Sequence, residues 1–105
     1  MIRQEWRSTR RGHGEASLLE PHHSYLFNDR AWAYFKKGEP AKGLPDADQA
    51  IGLAPRNAAA YDTRGHIHEA ADRKEAAIAD FKKALELRPD IKSSHDGLKR
   101  LTSAN

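Results

Sequence analysis

The 34 residues AAAYDTRGHIHEAADRKEAAIADFKKALELRPDI, positions 58–91, decide the fold, because the 34 before them follow the same plan. Those are SYLFNDRAWAYFKKGEPAKGLPDADQAIGLAPRN, positions 24–57. Pro55 answers to Pro89, Ala50 to Ala84, Leu53 to Leu87, Ile51 to Leu85 and Gly43 to Ala77. Upstream, Arg30 answers to Arg64, Ala31 to Gly65 and Phe27 to Tyr61. A fixed period of this length marks a repeat array, in which one unit cannot bury its own apolar face and must stack on a neighbour.

Within each unit the spacing predicts two helices. In 24–37, Phe27, Ala31 and Tyr34 fall at offsets 0, 4 and 7, one face of an α-helix; in 58–71 the equivalents are Tyr61, Gly65 and His68. Gly38 is expected to end the first helix in a left-handed conformation, and Asp72 stands in its place at some cost. The second helices are read over 40–53 and 74–87. Ala77, Ile78, Phe81, Ala84 and Leu85 in the latter match Gly43, Leu44, Ala47, Ala50 and Ile51 in the former. Pro45 interrupts 40–53, so that helix is expected either to kink or to start late with Pro45 in its first turn. After Pro89, residues 91–102 form a closing helix, with Ile91, Leu98 and Leu101 on one side and Lys92, Asp96, Lys99 and Arg100 on the other.

Working outward, Ala16, Leu19 and Pro21 precede Ala50, Leu53 and Pro55 by 34, so 15–23 reads as the remnant of an earlier repeat. Residues 1–14 hold Arg3, Arg7, Arg10 and Arg11 against Glu5, with two glycines and no periodicity, and read as a disordered basic tail. That tail carries the whole net charge of +3; residues 15–105 balance. A neutral folded part argues against nucleic acid as a partner. No apolar run suggests a membrane span or a secretory signal, and the expected location is the cytoplasm. The absence of Cys excludes disulfides, thiolate metal sites and Cys nucleophiles. The domain is read as 15–102, divided into 15–23, 24–57, 58–91 and the helix 92–102, with 103–105 as a tail.

The chemistry-bearing residues form no catalytic pattern. No Gly-rich phosphate loop or nucleophile turn occurs, and Glu69 with His66 or His68 is an ordinary helix-surface combination. No two of the six histidines have the i, i+4 spacing that converges on a metal, and His68 and His95 take the places of inward aromatics, which favours packing. The reading is of no enzyme, no metal and no cofactor.

An aromatic, a small residue four later and an aromatic three later, then after a turn Ala, an aromatic, Ala and Pro, resembles the tetratricopeptide repeat. Tyr61, Gly65, Ala77, Phe81, Ala84 and Pro89 carry the match in 58–91. Phe27, Ala31, Tyr34, Gly38, Ala50 and Pro55 carry it in 24–57, with Gly43 and Ala47 as weaker substitutes. The resemblance covers about 15–102. It implies an all-α fold: antiparallel helical hairpins stacked as a short right-handed superhelix with a capping helix. It also implies that Arg30 faces Asp46 and Arg64 faces Asp80.

Function is expected to follow the scaffold: non-catalytic binding of a protein or peptide segment. Tyr25, Asn28, Trp32, Phe35 and Lys36 lie on one stripe of the first helix, away from the Phe27/Ala31/Tyr34 face. The resemblance places that stripe in a concave groove, with Asp62, His66 and Glu69 as its continuation, beside Ala59 and Ala70. The competing expectation is that Trp32 packs beneath Leu18 and Leu19. Some family members grip the carboxylate end of chaperone tails with Lys, Arg and Asn; here the comparable positions hold Asn28, Trp32, Thr63, Ser93 and Gly97, so that specificity is not expected. Other readings are a self-association module forming a homo-oligomer, or a fragment of a larger regulatory or enzymatic protein.

Overall fold

The computed structural model describes residues 22–103. Five helices run through them: α1 His23–Lys36, α2 Pro40–Leu53, α3 Ala58–Ala70, α4 Lys74–Leu87 and α5 Lys92–Thr102. Together they make an all-α helical repeat fold. The expectations for the basic tail, the earlier repeat up to Pro21 and the Leu18/Leu19 contact lie outside the described residues. The helices α1/α2 and α3/α4 pair as hairpins; α3 then packs on both helices of the first hairpin, and α5 on both of the second.

The hairpin turns repeat with the sequence. Gly38 ends α1 at φ 83°, and Asp72 takes the same left-handed conformation at φ 62°. Only glycine does this without steric cost, so the second turn is the more strained. Between the units, Asn57 caps α3 by accepting from the Ala60 N–H at 3.3 Å. Its amide donates to Ser24 Oγ at 2.8 Å, and Ser24 Oγ donates to the Ala50 carbonyl at 2.7 Å. One buried polar relay thus ties the start of α1, the end of α2 and the start of α3.

The packing differs between the hairpins. Phe81 is wholly buried, held between two glycines. A Cβ at Gly65 would stand 2.7 Å from its ring, and one at Gly97 2.6 Å. The equivalent of Phe81 in the first hairpin is Ala47, and there Ala31, Ala47 and Ile67 form the cluster, with Phe35 and Leu44 against it. Gly43 lets the hairpin close, since a Cβ there would meet the Ala31 carbonyl at 2.7 Å.

Both expected ion pairs are present and bidentate. Arg30 donates to Asp46 at 2.7 and 2.8 Å, and Arg64 to Asp80 at 2.8 and 2.9 Å. Arg64 reaches further, donating to Asp48 of α2 at 2.9 Å. The side-chain hydrogen bonds to Asp80, with Asp48 behind it, raise the Arg64 pKa against the opposing effect of burial.

Two expectations need correction. The helix holding Pro45 does not start late: α2 begins at Pro40 and runs unbroken to Leu53. A proline at the sixth position removes one hydrogen bond near the N-terminus, and packing against α1 outweighs that loss. His95 is not a packed inward residue. It is exposed, with Nε2 2.7 Å from the Pro89 carbonyl, because no described helix lies beyond α5 to cover it.

Candidate functional site

The first helix of each unit borders the next, α1 on α3 and α3 on α5. Across that shared face runs a row of rings. Trp32 and Phe35 stack with centroids 5.1 Å apart. The His66 imidazole stands 5.6 Å from each, and the Phe81 ring 5.0 Å beyond it at 73°. The row descends from surface to core. Trp32 is 36% exposed, Phe35 and His66 are half-buried, and Phe81 is closed off. Lys36 holds its Nζ 5.7 Å from the Trp32 ring centroid, close enough for a cation–π contact.

Of the expected site residues, the structure therefore brings Trp32, Phe35, Lys36 and His66 together. Tyr25 lies on the same helix, 61% exposed. Asn28 is 9% exposed, and its Oδ1 has no hydrogen-bond partner among the described residues. Asp62 and Glu69 are engaged with α5. Asp62 accepts from Ser94 Oγ at 2.6 Å and Ser93 Oγ at 2.7 Å. Glu69 takes a bidentate pair from Arg100 at 2.7 and 2.9 Å.

These contacts set the electrostatics. Burial pushes the Asp62 carboxyl up, but neighbouring His66 and the two serine hydroxyls outweigh it, so the pKa falls below the usual aspartate value. Arg100 holds the Glu69 carboxyl below its usual value as well. His66 Nε2 lies 3.6 Å from Asp62 Oδ1, outside hydrogen-bond reach, and is a buried atom without a partner among the described residues. Ser93 and Ser94 both donate to the Asp62 carboxylate, whose lowered pKa makes it a weak base. The arrangement positions groups for binding and shows no activated nucleophile. Among the described residues no group of three or more His, Asp or Glu side chains could hold a metal ion, and no helix is long and apolar enough to cross a membrane.

Sequence reasoning missed Ser93, Ser94 and Arg100 as supports of this face. A signal existed. Phe35–His66, Asp62–Ser93 and Glu69–Arg100 are each 31 residues apart, the offset that joins facing positions on successive first helices.

Comparison with known proteins agrees with the repeat fold. A tetratricopeptide repeat profile matches residues 58–91. RNA polymerase II-associated protein 3 of Mus musculus is 33% identical over 85 residues, which span 81% of this chain and 13% of that protein. Small glutamine-rich tetratricopeptide repeat-containing protein 2 of Mycosarcoma maydis is 29% identical over 86 residues, 82% of this chain and 24% of the relative. The chain thus spans about a quarter or less of these relatives. The solved first TPR of Spaghetti (RPAP3), bound to the HSP90 peptide SRMEEVD, superposes with a TM-score of 0.75 at 30% identity, over 80% of this chain and 67% of that one. With this fold and these matches, the chain belongs to the tetratricopeptide repeat family.

Proposed function

We propose that this chain is a non-catalytic scaffold that binds an extended peptide or protein segment along the face of α1, α3 and α5, with Trp32 as the anchor. The observation that carries the reading is the half-open stack of Trp32 on Phe35, braced from behind by His66 and Phe81. A large ring held rigid by its neighbours yet partly in water offers contact area at little entropic cost. Tyr25, Lys36 and Asn28 flank it with an exposed ring, a cation and an unused carbonyl acceptor. Asp62 and Glu69, fixed in place by α5, form the far wall with His66. The peptide bound by the similar solved domain supports a peptide as the class of ligand.

The ligand differs in chemistry from an acidic carboxylate terminus. Ser93 is committed to Asp62, and at Gly97 even a Cβ would strike the Phe81 ring, so no basic side chain fits that position without displacing it. The segment bound is one with an apolar or aromatic residue for the Trp32/Phe35 stack.

Peptides selected by display on the full chain test this. Against Trp32→Ala their affinity should fall about thirtyfold or more, as expected when a true anchor is truncated, while the melting temperature stays near the parent's. Selected peptides that bind the variant equally well would overturn the reading.

A further inference from the structure

The side of α1 turned away from Trp32 carries a second stripe. Phe27, Arg30, Tyr34 and Lys37 follow one another at spacings of 3 and 4, with Leu26 and Ala33 beside them. His23, Leu26, Phe27 and Arg30 line one surface depression; Arg30, Ala33, Tyr34 and Lys37 line the next. Leu26 is 63% exposed, and Ala33 is exposed as well.

Thirty-four residues on, the same positions of α3 are covered. Ala60, in the place of Leu26, is fully buried, and Ile67, in the place of Ala33, nearly so. The cover is α2. Leu44 packs on the cluster that contains Ile67, and Asp48, one turn further along α2, accepts from Arg64 Nη1 at 2.9 Å. Arg30 stands in the place of Arg64. Its Nε and Nη2 hold Asp46, as those of Arg64 hold Asp80, but its Nη1 has no counterpart of Asp48 among the described residues. The Arg30 side chain is 63% exposed against 25% for Arg64.

We propose that this stripe is a second docking surface, independent of the Trp32 face, for an acidic amphipathic helix of another protein, laid on α1 as α2 lies on α3. The charges set the chemistry of that helix. Both full cations of the stripe sit over its rings, Arg30 Cζ 5.9 Å from the Phe27 centroid and Lys37 Nζ 5.8 Å from that of Tyr34. No Asp or Glu lines either depression among the described residues. Glu39 approaches Lys37 only to 3.9 Å, a loose pair.

The pattern on α2 gives the spacing. A leucine-like residue opposite Ala33 and a carboxylate four later opposite Arg30 repeat Leu44 and Asp48. On a helix antiparallel to α1, the position three or four before the leucine meets Lys37 and takes a second carboxylate, and the position seven after it meets Leu26 and is apolar. Ala33 is smaller than the Ile67 it replaces, which leaves the incoming side chain room. A second copy of this chain fits worse. Stripe on stripe would set Arg30 and Lys37 against the same cations, and α5 at the far end presents His95 and Lys99.

Display of a stapled 18-residue helix library on the full chain, randomised along one face, tests the proposal. Selected helices should carry the apolar residue with a carboxylate four later. Their affinity should fall about tenfold or more on Leu26→Lys and on Arg30→Glu, and stay unchanged on Trp32→Ala. Exchanging that carboxylate for lysine should restore binding to Arg30→Glu, a rescue that a merely destabilised variant would not give. Helices without a carboxylate preference, or helices indifferent to Leu26→Lys, would overturn the proposal. So would concentration-dependent sedimentation of the chain alone that Leu26→Lys abolishes, which would assign the stripe to a second copy.

Discussion

The two repeats share a skeleton and diverge in what they fill it with. Each has a left-handed turn residue, Gly38 or Asp72, and a bidentate Arg–Asp tie between its helices. Yet the second hairpin is built around Phe81, wedged between glycines, and its inner carboxylates are spent on α5. The first is built around alanines and leaves Trp32 and Phe35 stacked at the surface. The turns and the register are therefore common property, and the filling is divided: the second unit carries more of the core, and the first carries the ring pair proposed above as the anchor.

Substitution at Phe81 should break this contrast most severely. Phe81→Ala should destabilise by about 3–5 kcal/mol, since the glycines on either side cannot close the cavity. A urea or thermal unfolding curve reads it directly. Phe81→Leu, costing markedly less, would sharpen the point that volume rather than aromaticity is required.

Pro45→Ala should act in the opposite direction and strengthen the first unit. The ceiling is about 3 kcal/mol, the cost of an interior proline against alanine, reduced here by its nearness to the N-terminus of α2. No gain in melting temperature would mean that α2 already absorbs the proline without strain.

The arginines come next. Arg64→Leu strands Asp80, a carboxylate only 8% exposed, and should cost about 2 kcal/mol after solvent screening. Arg30→Leu should cost less, because that side chain is largely in water and serves one carboxylate where Arg64 serves two. Equal effects would show that Asp48 contributes nothing.

Acid should separate α5 from the rest. Asp62 and Glu69 both titrate below their ordinary values of 3.8 and 4.5 because of contacts that include α5. A carboxylate with a depressed folded pKa contributes its full stabilisation above its unfolded pKa, and that contribution is lost progressively as pH falls from there through the folded pKa. Below about pH 4.5, Leu98 and Leu101 methyl signals should therefore shift before those of Ile78. Signals of α5 that stay unchanged down to about pH 3 would contradict this.

Much of this was legible in the sequence, for a physical reason. A 34-residue period fixes helix lengths, turn positions and inward faces at once, so Gly38, Asp72 and the Arg–Asp ties could be placed from spacing and family resemblance. Contacts between successive units were harder to see. Ser93 and Ser94 hold Asp62 through a 31-residue offset that no single repeat contains, and Asp48 was silent until α2 was laid on α3. Of the two readings of Pro45, the late start fails because packing along the whole of α2 carries the helix back to Pro40. His95 misled because a repeat position carries a packing partner only where another helix follows.

The central claim, that the first unit's half-open ring pair is the recognition surface, is tested most directly by chemical-shift mapping with a display-selected peptide on the full chain. The account predicts that the largest changes fall on the Trp32 indole, Phe35, Lys36 and His66, with Leu26 and Arg30 unmoved. Changes centred on Leu26 and Arg30, with the Trp32 indole unshifted, would contradict it.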